Sequence, residues 1–276
     1  MTAVGPQPAR PAIGAVHGWA VRQAAHQARA DLLCFRRNVQ SVFFTLLLPV
    51  LFLVVFASIF RNATVKVPGG SMKESVYYVP AIIAYGLIAA AFMNLTLAVV
   101  RNREAGIYKR RRATPLPASA IIAGRALVAV LTALAITVVL LVIGWAAYGA
   151  TIPGRTAPAF IVDVVVGAVV FCGLGFAAAS LIGSVDAVQP VVLATVLPLS
   201  FISGVFIAAS ELPSWLADIG KVFPVQPLAA ALLTAYNPHT TGSGLEWRDL
   251  AVLAAWGIAG LIFASLRFRW LPRGDR

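Results

Sequence analysis

A chain of 276 residues with 60% hydrophobic residues, 12% charged residues and a mean hydropathy of +0.86 falls outside the ordinary soluble class, where about 25% of residues are charged because the surface faces water. Its net charge of +12 is excluded as a nucleic-acid footprint by its distribution, since the basic residues flank apolar blocks and form no separate basic domain. Long apolar blocks alternating with short charged stretches are the pattern of a chain dissolved in lipid.

In chain order, residues 1–16 are rich in Pro and Ala and read as a disordered tail. Across 17–40, Val21, Ala25, Ala28, Leu32 and Phe35 share one helical face, while Arg22, His26, Arg29 and Arg36 share another. This predicts an amphipathic interfacial helix on the cytoplasmic leaflet. The first long apolar block begins at residue 41 and exceeds the apolar core of a cleaved signal peptide, so none is expected.

Six blocks follow, at about 41–60, 79–100, 126–148, 159–182, 190–208 and 250–266. At 1.5 Å per residue they are of spanning length. The expected fold is an all-α membrane protein whose six transmembrane helices occupy 41–268. Lys and Arg number 16 in segments 1–40, 101–125, 183–189 and 267–276, against 6 in segments 61–78, 149–158 and 209–249. That split puts both termini, including the tail 269–276, in the cytoplasm. The 18 arginines against 4 lysines suggest a GC-rich bacterial genome, hence a bacterial inner membrane.

Between the fifth and sixth blocks, segment 211–237 runs from Glu211 through the turn at Pro213 and Trp215 to an apolar stretch broken by Pro224 and Pro227. That stretch is too short to cross, so the segment is expected to be re-entrant, dipping into the outer leaflet and returning.

Catalytic groups are scarce. His17, His26 and His239 all lie outside the blocks, and no G-x-x-x-x-G-K-[ST] phosphate loop occurs. No catalytic residue, metal site or bound cofactor is expected, and Cys34 and Cys172 read as packing residues. Asp163 is the single acid within a block, which argues against a self-sufficient ion-coupled transporter. Energy for any transport therefore comes from a partner. Ala168, Cys172, Gly175, Ala179 and Gly183 form a small-residue stripe that suits close packing of helices within one protomer. Pro49 and Pro198 lie mid-block and favour kinks. Asn94, the one strongly polar amide inside a block, either lines a pathway or hydrogen-bonds a neighbouring helix.

The most specific segment is 101–118, where Arg103, Glu104, Gly106, Lys109, Arg110, Thr114, Pro115 and Leu116 stand at fixed spacing. An ordinary basic loop would account for the arginines but not for Glu104, Gly106 and the Thr-Pro-Leu ending. This segment resembles the cytoplasmic coupling segment of ABC type-2 exporter permeases, and the daunorubicin-resistance type is the nearest subgroup. Ser203–Ile207, Leu212–Trp215 and Phe223–Pro227 also resemble the family's region after its fifth span. Ala81, where relatives often have Gly, and Ala208, where Pro is common, depart from the pattern.

The resemblance implies a permease subunit paired with a second permease copy or paralogue and with two ABC ATPase subunits that carry ATP and Mg. Arg103, Glu104, Gly106, Lys109, Arg110, Thr114 and Pro115 would couple to the ATPase. Phe44, Asn94, Phe201 and Phe206 would line a pathway for a drug, lipid or glycolipid leaving the cytoplasm or inner leaflet. Membrane lipid is a further partner and nucleic acid is not. The alternative is a non-transporting membrane anchor or regulator of an ATPase complex.

Overall fold

The computed structural model describes residues 39–107 and 118–267, with side chains from 45 in the first stretch and from 123 in the second. The expected tail 1–16, the amphipathic helix at 17–38, the tail 269–276, Lys109, Arg110, Thr114, Pro115 and the Phe44 side chain all lie outside the described residues.

Helix α1 spans Val39–Ile59 and continues unbroken through Pro49. At 21 residues it is about 31 Å long. Leu53 and Ala57 are buried, while Leu47, Leu48, Leu51, Val54, Val55 and Ile59 face outward. In water such a face would be an association hazard, but in hydrocarbon it is the ordinary exterior.

The chain then makes an antiparallel hairpin, β1 (Thr64–Val67) and β2 (Gly70–Lys73), in register from Thr64–Lys73 to Val67–Gly70. Pro68 and Gly69 form its turn. Gly69 has φ +86, a left-handed angle that a side chain would resist. This hairpin was not anticipated, although alternation in Thr64–Val67 followed by Pro-Gly is a hairpin signal.

Helix α2 (Glu74–Ile88) passes through a π-helical turn, Ala89–Asn94, into α3 (Leu95–Glu104). The three form one apolar run of 31 residues around the expected span 79–100. Helix α4 covers Ala118–Tyr148, and α5 covers Ala157–Leu181 with Pro158 in its first turn. Helix α6 (Val185–Ile202) starts at Ser184, whose hydroxyl accepts from the Ala187 N–H at 3.3 Å.

This corrects the fifth block, expected at 190–208. The cap lets the helix begin at Val185 with Pro190 inside it. It stops at Ile202 because Gly204 adopts φ +78. After a 3-10 turn at Ala209–Glu211 come α7 (Ser214–Val222) and α8 (Val225–Tyr236), bent 99° apart, and finally α9 (Trp247–Arg267).

Five described helical runs are long and apolar enough to cross a membrane: Glu74–Glu104, Ala123–Tyr148, Ala157–Leu181, Val185–Ile202 and Trp247–Arg267. The bent pair brings the number to six if it counts as one span, and Thr45–Ile59 of α1 is a shorter apolar helix.

Helix α5 sits centrally, against α2, α3, α4, α8 and α9. Ala168, Cys172, Gly175 and Ala179 are all buried. A methyl at Gly175 would come within 3.2 Å of the Ala91 carbonyl, so the small-residue stripe seats the π turn of the same chain. On another face Gly257 and Gly260 bring α9 close to Val170, Gly173 and Leu174. Lipid supplies no hydrophobic force between helices, so such close contact is what holds them.

Hydrogen bonds sort the connections into two ends. The Ser58 and Tyr148 hydroxyls lie 2.8 Å apart, Arg155 donates to the Thr240 carbonyl at 2.7 Å, and Asn237 donates to the Pro68 carbonyl at 2.9 Å. The His239 ring lies 3.2 Å from the Ser71 carbonyl, and the Ala209–Glu211 turn meets β1. These loops share one end with the hairpin. Both ends of the α7–α8 pair are therefore there. The α3 terminus and the α5–α6 connection share the opposite end through Arg103.

Candidate functional site

Segment 101–118 begins as the last turn of α3. The Ala105 and Gly106 N–H groups donate back to Arg101 and Arg103 carbonyls, at 2.9 and 3.0 Å. Gly106 takes φ +66 in open space, the left-handed step that ends a helix. Gly106 is thus a terminator that turns the chain out of α3.

Arg103 is 1% exposed and heads the fully buried large side chains. Its Nε–H donates to Glu104 Oε1 at 2.9 Å. The two terminal nitrogens donate to the carbonyls of Ala179 at 2.9 Å and Ile182 at 2.6 Å. Those carbonyls end α5, where the helix has exhausted its own N–H donors and carries the negative end of its dipole. The guanidinium fork suits this task, because it presents several donors in one plane. Glu104, about one quarter exposed at its side chain, orients the fork through a charge-assisted bond. The coupling residues thus divide: Arg103, Glu104 and Gly106 form a built corner, and the other four lie outside the described residues.

At the hairpin end stands an aromatic cluster. Phe52 and Phe56 come from α1, Tyr77, Tyr78 and Tyr85 from α2, and Phe206 from the turn after α6. The Phe206 ring, 4% exposed, lies 5.2 Å from Phe52, 5.7 Å from Phe56 and 5.3 Å from Tyr85. Tyr77 Oη donates to the Gly204 carbonyl at 2.7 Å and Tyr78 Oη to the Phe206 carbonyl at 3.2 Å. Two hydroxyls thereby satisfy backbone groups that the turn leaves unpaired inside an apolar region.

The expected pathway residues separate. Phe201 and Phe206 meet at 5.2 Å, with Phe201 47% exposed beside the buried Phe206. Asn94 lies farther towards the α3 end, its Nδ2 donating to Thr45 Oγ1 of α1 at 2.8 Å. Of its two readings, the hydrogen bond to a neighbouring helix is realised. The three tyrosines, Phe52 and Phe56 were missed as site residues. Their signal was the i, i+4 pair Phe52–Phe56 and the adjacent Tyr77–Tyr78, aromatics facing the bundle where a lipid face would carry aliphatics. Among the described residues no three His, Cys, Asp or Glu side chains gather as metal ligands.

The family model described as ABC-2 type transporter matches residues 23–236. The chain belongs to the ABC-2 type transporter family. The match takes in the Arg103 corner, the aromatic cluster and the bent α7–α8 pair, stopping short of α9. No curated protein matches the chain. As an ABC-2 membrane domain this is a multi-pass membrane protein and a permease subunit of an ABC transporter, working with ABC ATPase subunits.

Proposed function

We propose that the chain is the permease of an ATP-driven exporter of hydrophobic or amphiphilic molecules (drug, lipid or glycolipid), of the daunorubicin-resistance type. It works as a homodimer or with a paralogue, together with two ATPase subunits that bind ATP and Mg. The observation that carries this is the family match combined with a charged corner, Arg103–Glu104–Gly106, at the end of the bundle opposite the hairpin.

In this reading the chain has six spans, α1, α2–α3, α4, α5, α6 and α9, in a bacterial inner membrane with both termini cytoplasmic. The 16-to-6 division of Lys and Arg supports that orientation. Exposed Trp145, Trp215 and Trp247 stand at the hairpin end and mark its level as a membrane–water interface, whichever side of the membrane that is. The α7–α8 pair is re-entrant. Its support is that both of its ends meet the hairpin region.

We assign ATPase coupling to Glu104, Lys109, Arg110, Thr114 and Pro115, and the substrate pathway to Phe44, Phe201 and Phe206, with Asn94 bonded to Thr45 of α1. Val191, Ala194, Pro198 and Phe201, at spacings of three and four, form an exposed stripe on α6. A stripe of this kind suits an amphiphile passing between two permeases, because it asks for no specific polar partner.

The test is reconstitution of the permease with its ATPase in vesicles. ATP-dependent movement of a fluorescent lipid or an amphiphilic dye into the lumen of inside-out vesicles is expected. ATPase that co-purifies yet moves nothing across a panel of lipids and drugs would favour the anchor or regulator.

A further inference from the structure

Arg103 was expected to meet the ATPase, yet its guanidinium is buried and three of its N–H groups are used inside the chain. It sits one turn before Ile107, where the described part of the segment ends. It grips the last turn of α5 and the first residue beyond it. From Ile182 only Gly183 and the capping Ser184 intervene before α6. Helix α3 also packs against both α5 and α6.

A displacement of segment 101–118 therefore has two routes into the bundle. One is covalent, up α3. The other runs through the Arg103 fork into the α5–α6 connection. Two carbonyls and one carboxylate in different directions fix the fork in position and angle. A lysine ammonium, a single point charge, could hold one of these partners but not the whole geometry.

Resting on the exporter reading, we infer that Arg103 is an internal clamp, a positioning residue that makes the coupling segment and the α5–α6 connection move as one body. Glu104 holds the clamp shut with one carboxylate oxygen. Force from the ATPase thereby reaches α6, the helix that presents Phe201, without passing through α2.

The test uses the full permease–ATPase complex in vesicles, with Cys34→Ser and Cys172→Ala. Single cysteines at Ile107→Cys and Asp186→Cys are labelled with a membrane-impermeant maleimide, nucleotide-free and with ATP trapped by vanadate. In otherwise wild-type permease, trapping is expected to change the labelling rate about fivefold or more at both positions, as for a typical allosteric coupling. With Arg103→Lys the change at 107 persists, the change at 186 falls below twofold, and substrate moved per ATP hydrolysed drops. A merely structural role would instead lower complex yield and leave that ratio unchanged.

Equal responses at 186 with Arg103 and with Arg103→Lys would overturn the clamp, as would a wild-type response at 107 without one at 186. Absence of any response at 107 in wild type would overturn the exporter reading itself, and the clamp with it. If Arg103→Lys fails to insert, Glu104→Gln decides by the same comparison, a retained 186 response counting against the clamp.

Discussion

The two ends of the bundle are held by different physics. At the α3 end one guanidinium makes three hydrogen bonds to charged or dipolar acceptors. At the hairpin end seven rings, Phe52, Phe56, Tyr77, Tyr78, Tyr85, Phe201 and Phe206, pack edge-on or stacked, and polar groups only trim the cluster. The first arrangement specifies direction and fails when a single partner is lost. The second specifies contact area and degrades gradually. A part that must transmit an orientation needs the former. A part that must stay closed yet yield to an amphiphile is better served by the latter, whose contacts are each weak and replaceable.

The largest expected effect breaks the directional end. Arg103→Ala leaves the Ala179 and Ile182 carbonyls and the Glu104 carboxylate without their donor, and each buried acceptor left unsatisfied costs about 1–3 kcal/mol. A sharp fall in the detergent-extracted melting temperature and in membrane yield is expected. A melting temperature within a degree of wild type would mean that the corner is not a structural keystone. Next comes the packed end. Phe206→Ala removes the ring shared by Phe52, Phe56 and Tyr85, and is expected to cost about 3 kcal/mol, the lower bound for Phe→Ala in a close-packed core. Phe206→Leu should recover most of that loss in the same melting assay. No comparable rescue is expected for any apolar replacement at Arg103, and that asymmetry is the comparison in measurable form. A smaller change sharpens it: Tyr77→Phe keeps the ring and deletes the bond to the Gly204 carbonyl, for about 1 kcal/mol. A much larger loss would show that the turn after α6 is held by that hydroxyl and not by ring packing.

How far the sequence revealed these ends follows from the range of each signal. Hydropathy is a sum over twenty neighbours, so the long apolar helices are legible within a few residues, and Gly106 is legible as punctuation just past a helix. The end of α6 was misplaced because Ser203–Ala208 is as apolar as a span. What stops the helix is the left-handed Gly204 and two tyrosines from α2, more than 120 residues away in sequence. The role of Arg103 was hidden for the same reason. A basic residue at a block end reads as facing phosphate or a partner. Only the fold reveals that the end of α5, 76 residues on, presents its carbonyls there. The hairpin was legible from Val65 and Val67 alternating before Pro68-Gly69. It was passed over because a length-based search for spans treats everything between them as loop.

Asn94 is the remaining test, since it belongs to neither end. It closes the π turn, and its amide reaches Thr45 of α1 at 2.8 Å while remaining half-buried. If it works by direction, as Arg103 does, deleting the amide should be costly. If it only tacks one helix to another, the loss should be small. Interhelical hydrogen bonds in membrane proteins average about 0.6 kcal/mol, because the unfolded chain in lipid also finds partners. One neutral amide to one hydroxyl has none of the charge assistance present at Arg103. Asn94→Leu is therefore expected to lower stability by about 0.6 kcal/mol. Thr45→Val removes the same bond, and the double variant should cost less than the sum of the two single changes, as expected of residues that share it. Transport per ATP in the vesicle assay should stay at the wild-type value in all three. A wild-type melting temperature with transport lost in Asn94→Leu but retained in Thr45→Val would reverse the assignment, and would put the amide in contact with the cargo instead of with α1.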